Sequence, residues 1–220
     1  MIKAILIFLI SISSFEILSQ NDRGVFKIAR LKYGGGGDWY NGSSEEVNLL
    51  NYIKNNTNIK VKPEYIFVDL STDEIFSFPF LFMTGHGNVV FSNEEAMRLR
   101  KYLENGGFLY ADDDYGMDKA FRREMKKVFP DDDFIELPFS HGIYNSFYDF
   151  SSGVPKIHEH DKKIPQGFGI FINKRLVVYY TFECNISDGW DDAEVHNDPE
   201  VKREEALKFG TNIVVYALSN

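Results

Sequence analysis

Three apolar runs in this chain each end in a turn that combines glycine with side chains a core has no use for. Gly34-Gly35-Gly36-Gly37-Asp38-Trp39 follows residues 25–31, Thr84-Gly85-His86-Gly87 follows residues 79–83, and Asp112-Asp113-Asp114-Tyr115-Gly116 follows residues 108–111. If the runs are parallel strands of one sheet, all three turns lie at one edge, where open α/β sheets hold their ligands. Asp38 beside Trp39 pairs a carboxylate with an aromatic plate suited to a sugar or peptide, unless Trp39 instead plugs one end of the core. His86 occupies a strand-to-helix turn, the place of the reactive residue in a nucleophile elbow. An imidazole there can ligate a metal or move protons, or it can tie down its own turn.

Asp112, Asp113 and Asp114 repel one another, so this strand end needs cations, backbone amides or a helix N-terminus close by. Asp114 is placed to cap the helix that follows. If the strand persists, alternation turns Asp112 and Asp114 to one side and Asp113 to the other. A hard ion such as Mg²⁺ or Ca²⁺ suits carboxylates alone, whereas His86 with Asp112 and Asp113 makes a mixed set for Zn²⁺ or Mn²⁺. A divalent metal is the only cofactor these residues suggest, and none is required. Tyr115 and His141 complete a candidate binding set of Asp38, Trp39, His86, Asp112, Asp113, Asp114, Tyr115 and His141. Phosphate fits poorly: there is no Gly-Lys-Ser/Thr ending, Trp39 stands where a dinucleotide fingerprint needs glycine, and Asp38 would repel it. His158 and His160 read as part of a charged, solvated loop. Asp188-Gly189-Trp190-Asp191 again sets carboxylates beside tryptophan, and Cys184 reads as a small, half-buried thiol.

The elements that must carry these turns follow from periodicity. Strands are expected at residues 25–31, 65–69, 79–83 and 108–111. Between them lie helices from Ser43 or Ser44 to about Asn55, from a Ser92/Glu95 capping box to Gly106-Gly107, and over residues 116–128. This alternation predicts an α/β three-layer sandwich, a mainly parallel sheet flanked by helices. Residues 168–172 and 176–181, separated by Asn173-Lys174-Arg175, predict an antiparallel hairpin near the C-terminal part, and Asp198-Pro199 opens a last helix.

The chain has 220 residues and a net charge of −9, which disfavours nucleic acid, because phosphate neutralisation needs Lys and Arg. Lys3 followed by an apolar stretch through Ser13 reads as an export signal over residues 1–20. The expectation is a single domain over residues 21–220, periplasmic or secreted, with no stable membrane span after signal cleavage. One cysteine leaves the exported domain without an intrachain disulfide.

The strings RLKYGGGGDWYN, PFLFMTGHG, LRKYLENGGFLYADDDYGMD, LPFSHGIY, GVPKIHEH and ISDGW together resemble a bacterial family known as domain of unknown function 4159, in order from about Val25 to Ala217. The resemblance implies an exported or membrane-associated bacterial protein with a class I glutamine amidotransferase-like, flavodoxin-like fold. Catalytic members of that group carry a Gly-x-Cys-x-Gly elbow. Here the comparable turn is Thr84-Gly85-His86-Gly87, so the resemblance carries over no cysteine triad and no glutaminase activity. The leading expectation is a cell-envelope domain that binds a small molecule, glycan or peptide at this sheet edge. The alternative is a metal-dependent hydrolase of envelope sugars or peptides, with Asp38 as general base. A third is a scaffold for another envelope protein, docking through the aromatic run from Tyr144 to Phe150.

Overall fold

A computed structural model describes residues 24–220. The export signal expected over residues 1–20 lies outside them. Seven strands form one sheet: β1 (Ile28–Lys32), β2 (Phe67–Asp69), β3 (Phe80–Met83), β4 (Phe108–Asp112), β5 (Ile135–Glu136), β6 (Gln166–Ile172) and β7 (Arg175–Phe182). Their order is β2-β1-β3-β4-β7-β6-β5. The first five in this order are parallel neighbours, and β6 and β5 continue antiparallel. The order reverses between β1 and β3, a switch point at which successive loops diverge and leave a crevice.

Five helices cover the faces: α1 (Glu45–Asn56), α2 (Asn93–Glu104), α3 (Asp118–Val128), the short α4 (Ala193–His196) and α5 (Glu200–Ser219). Strand alternation divides the core in two. Leu109 and Ala111 pack with Leu99, Phe121 and Met125 under α2 and α3. Phe108 and Tyr110 pack with Leu50, Phe209 and Ile213 under α1 and α5. On this second face aromatic rings run from strand to strand: Phe80 stacks on Phe108 at 5.5 Å, Phe82 on Tyr110 at 5.6 Å, and Tyr110 on Tyr179 at 5.9 Å. Among the described residues, no helix is long and apolar enough to cross a membrane.

The local signals act largely as the residues dictate. Ser92 Oγ accepts from Glu95 N, and Ser92 N donates to Glu95 Oε2, closing the capping box of α2. Asn173 and Lys174 adopt φ of 50° and 71°, the two-residue hairpin turn between β6 and β7, so Arg175 belongs to the strand and not the turn. Two expected caps are corrected. Ser44 makes no side-chain cap on α1, because its hydroxyl donates to Asp191 Oδ1 at 2.6 Å. At α3 it is Asp113, not Asp114, that accepts from a backbone amide, Met117 N at 2.8 Å. The aromatic run after His141 packs largely inward: Tyr144 is buried and Phe150 meets Phe209 edge-on at 5.0 Å, leaving Phe147 exposed.

A histidine and carboxylate network at the switch-point edge

The loops after β1, β3, β4 and β7 meet beyond the ends of these parallel strands. The glycine turn after β1 lies against the β3 loop, with Gly37 N donating to Asn88 O at 3.1 Å. A Cβ on Gly37 would sit 2.7 Å from Asn88 O and 2.8 Å from His86 O, so a side chain there would force the loops apart. The close approach delivers Asp38 to His86. Asp38 Oδ1 accepts from His86 N at 2.5 Å and its Oδ2 lies 3.0 Å from His86 Nδ1. Asp114 Oδ2 reaches the same nitrogen at 3.1 Å. The ring is 45 % exposed, and its Nε2 has no partner among the described residues.

Arg30 holds this half in place from below. It is fully buried in β1, pairs with Glu45 at 2.6 Å and Glu46 at 2.6 Å, and also donates to Asn41 O. Asn41 Nδ2 in turn donates to Asp114 Oδ2 at 2.8 Å. Burial, then the negative charge of Asp188, push Asp114 up to about 6 against the pull of His86.

The other half comes from the chain after β7. That chain turns through Glu183 and Asn185, both at positive φ (61° and 49°), an unusual conformation for Glu. Ser187 then locks to the end of β4: its N and Oγ donate to Asp112 Oδ2 at 2.7 and 2.9 Å, while Thr181 Oγ1 donates to Asp112 Oδ1 at 2.5 Å. Asp112 is thus an internal latch, pushed up to about 7 by burial that its three donors only partly offset. Residues 156–160 dock onto the same turn, Ile157 N and His158 N both donating to Cys184 O. His158 is thereby placed with Nδ1 2.7 Å from Asp188 Oδ2 and Nε2 2.9 Å from Asp198 Oδ1. Its hydrogen bond to Asp188, strengthened by the Asp198 charge, raises it to about 9. Burial alone would raise Asp188, but its bond from His158 and the charge of His196 hold it low. Asn185 joins the halves, its Nδ2 lying 2.8 Å from Asp114 Oδ1, 3.1 Å from Asp188 Oδ2 and 2.8 Å from His160 Nε2.

Of the eight residues expected to bind a ligand, Asp38, His86 and Asp114 converge, and Tyr115 lies at their side. Gly87 N donates to Tyr115 O, and the Tyr115 ring lies 4.6 Å from His160. The others are placed differently. Asp112 holds Ser187, and Asp113 holds the start of α3 with Tyr180 OH 3.4 Å away. Trp39 leans on Phe67 at 5.2 Å under the Lys32 ammonium and helps wall the core. His141 sits apart, against Phe171 and Tyr216, with burial lowering its pKa. The expected metal trio of His86, Asp112 and Asp113 does not form a cluster with ligand spacing. Among the described residues that spacing belongs to His158, Asp188 and His196. Of these residues and their neighbours, His158, His160, Asp188 and Asp191 stand out in the sequence only as a charged loop and as carboxylates beside Trp190, and His196, Asn41, Asn185 and Asp198 carry no local signal of a site. Four of the chain's five histidines (His86, His158, His160 and His196) gather at this edge.

No curated protein is similar enough to this chain to match it. A family model described as a domain of unknown function, DUF4159, matches residues 27–218, nearly the whole described chain and every loop of this edge. The chain belongs to the DUF4159 family.

Proposed function

We propose that this domain is an exported hydrolase of the cell envelope that cleaves an amide or ester bond in a peptide-like substrate, with His86 as general acid and base. The observation that carries the reading is the environment of that ring. Two carboxylates lie within 3.1 Å of Nδ1 on a side chain that is 45 % exposed, and Nε2 has no partner among the described residues. A proton on Nδ1 shared with Asp38 or Asp114 leaves Nε2 as the basic nitrogen, facing outward. Cys184, the one thiol, is fully buried, and in this reading water serves as the nucleophile. Nε2 takes a proton from water as its oxygen bonds to the acyl carbon, then returns that proton to the departing nitrogen or oxygen. Glycoside cleavage calls instead for two carboxyl groups facing each other across the scissile bond. Here the exposed catalytic group is an imidazole with carboxylates behind it.

A cavity of about 330 Å³ opens beside Tyr115, lined also by Lys119, Lys163, Phe182 and Glu183. Export is supported by Lys3 and the apolar stretch after it. The finer fold reading, a glutamine amidotransferase-like domain without its thiol, is supported by the five parallel strands in the order β2-β1-β3-β4-β7 and by His86 in the elbow turn.

The test is turnover of envelope-derived peptides and fluorogenic amides and esters by the wild-type chain and by His86→Ala. A loss of about 10²–10⁴ in rate, with an unchanged melting temperature, is expected. Equal turnover by both proteins removes His86 from catalysis. Saturable peptide binding without turnover reduces the domain to a binding module.

A further inference from the structure

We propose a second site on the far side of Asn185: a binding site for one divalent ion of the zinc class, ligated by His158, Asp188 and His196. One ligating atom from each lies within 4.8 Å of the others. Two imidazoles and one carboxylate are a donor set for borderline divalent ions, with positions left over for water. His196 Nε2 stands 3.8 Å from Asp188 Oδ1. That is beyond hydrogen-bond length, yet it suits two ligands sharing an ion at about 2.0–2.2 Å each.

The surroundings are organised as they are around a bound ion. Both oxygens of Asp198 lie 2.9 Å from His158 Nε2, which fixes the ring and turns Nδ1 toward Asp188. A carboxylate behind a ligating imidazole is the common outer support of such sites. Asp191 Oδ2, 3.4 Å from His196 Nε2, is steadied through its other oxygen by Ser44 Oγ. Asp188 rides on a buried turn anchored by Trp190, whose indole N–H donates to Ala206 O at 2.9 Å. His158 and His196 are only 22 % and 27 % exposed, which leaves an opening to solvent on their side.

An independent observation points the same way. Asn185 is 1 % exposed and donates to Asp188, yet its Oδ1 has no hydrogen-bond partner. A buried acceptor left bare is costly, and it belongs to a side chain whose Nδ2 lies 3.1 Å from Asp188 Oδ2, beside a triad where Asp188, Asp191 and Asp198 outnumber the imidazoles of His158 and His196. A dication offsets that excess of negative charge.

This site goes beyond the acid–base reading and does not depend on it. Chelator-stripped full-length protein is titrated with Zn²⁺ against a chromogenic competitor, and with Co²⁺ followed by visible absorption. One equivalent of Zn²⁺ is expected, with cobalt bands of a four- or five-coordinate site. Asp198→Asn weakens Zn²⁺ by about 10–100-fold through the ring it orients, and His158→Gln and His196→Ala weaken it more. His86→Ala leaves Zn²⁺ affinity unchanged whatever it does to turnover. His196→Ala, at a partly exposed ring, decides the matter if His158→Gln fails to fold, and melts of the metal-free proteins check both. Absence of binding by the wild type, wild-type affinity in His196→Ala, or loss of binding in His86→Ala overturns the site.

Discussion

On the glycine side of the cleft, His86 is nearly half exposed, and one of its ring nitrogens has no partner among the described residues. On the far side, His158 has a carboxylate at each nitrogen, and the two fix its ring. The supports differ as well. A buried Arg30 with Glu45 and Glu46 fixes the first half through the backbone of Asn41, while the second hangs from Asp112 through Ser187 and Thr181. Imidazoles on two sides of one cleft are thus set to opposite tasks. A half-wet ring with one free nitrogen is ready to exchange a proton, and a ring clamped at both ends is ready to be a fixed charge or a ligand.

The sharpest way to break this comparison is Arg30→Ala. It strands two buried carboxylates, and a loss of about 3–5 kcal/mol is expected, read as a lower urea midpoint. In folded protein below the transition, the His86 ring signals should shift while those of His158 and His196 hold. Equal disturbance of all three would mean that the halves are one unit.

Asp112→Asn probes the other support and carries a pH signature. Burial raises Asp112 from the usual 3.8 to about 7, and Asp113 likewise to about 6. A carboxyl whose folded pKa is raised contributes stability that is complete below its unfolded pKa and lost as pH rises through the folded one. Stability should therefore decline between about pH 4 and pH 7, and Asp112→Asn should flatten the decline by on the order of 1–3 kcal/mol. Unfolding curves at pH 4.5 and 8 suffice, and an unaltered slope would mean that Asp112 is ionised throughout. Asn41→Ala is expected to have the smallest effect, about 1 kcal/mol, with a shift of the His86 ring signals as Asp114 loses its donor. Unchanged signals would mean that Asn185 holds Asp114 without help from Asn41.

The glycine half was legible in the chain because each of its parts is local. A strand, a glycine turn and a polar side chain follow one another at β1, β3 and β4, although β4 ends at Asp112 and it is hydrogen bonds beyond the strand that hold Asp113 and Asp114. The histidine half was not. His158 and His160 read as solvated because nothing in their neighbourhood announces that Cys184 O will capture the backbone at 157 and 158. Ser44 looked like a helix cap, and its hydroxyl instead serves Asp191, 147 residues away. Asn185 owes its role to a positive-φ turn that composition does not reveal. Trp39 and His141 carried chemically suggestive side chains, yet Phe67 and Lys32 occupy the first and Phe171 and Tyr216 the second. Long-range partners, not residue types, divide the candidates.

The insertion of β7 between β4 and β6 also has a kinetic consequence. Asp112 pairs with Thr181 across 69 residues of chain, and the β4–β7 seam is what brings Ser187 and Asp188 to the edge. Non-local parallel pairing of this kind is slow to form, because the loop must close before any contact rewards it. A nascent chain that has emerged only through α3 carries Asp38, His86 and Asp114 but lacks Asn185 and the whole ion-binding triad. Assembly of the cleft is therefore a late event, and competence for chemistry reports that the final third of the polypeptide has docked.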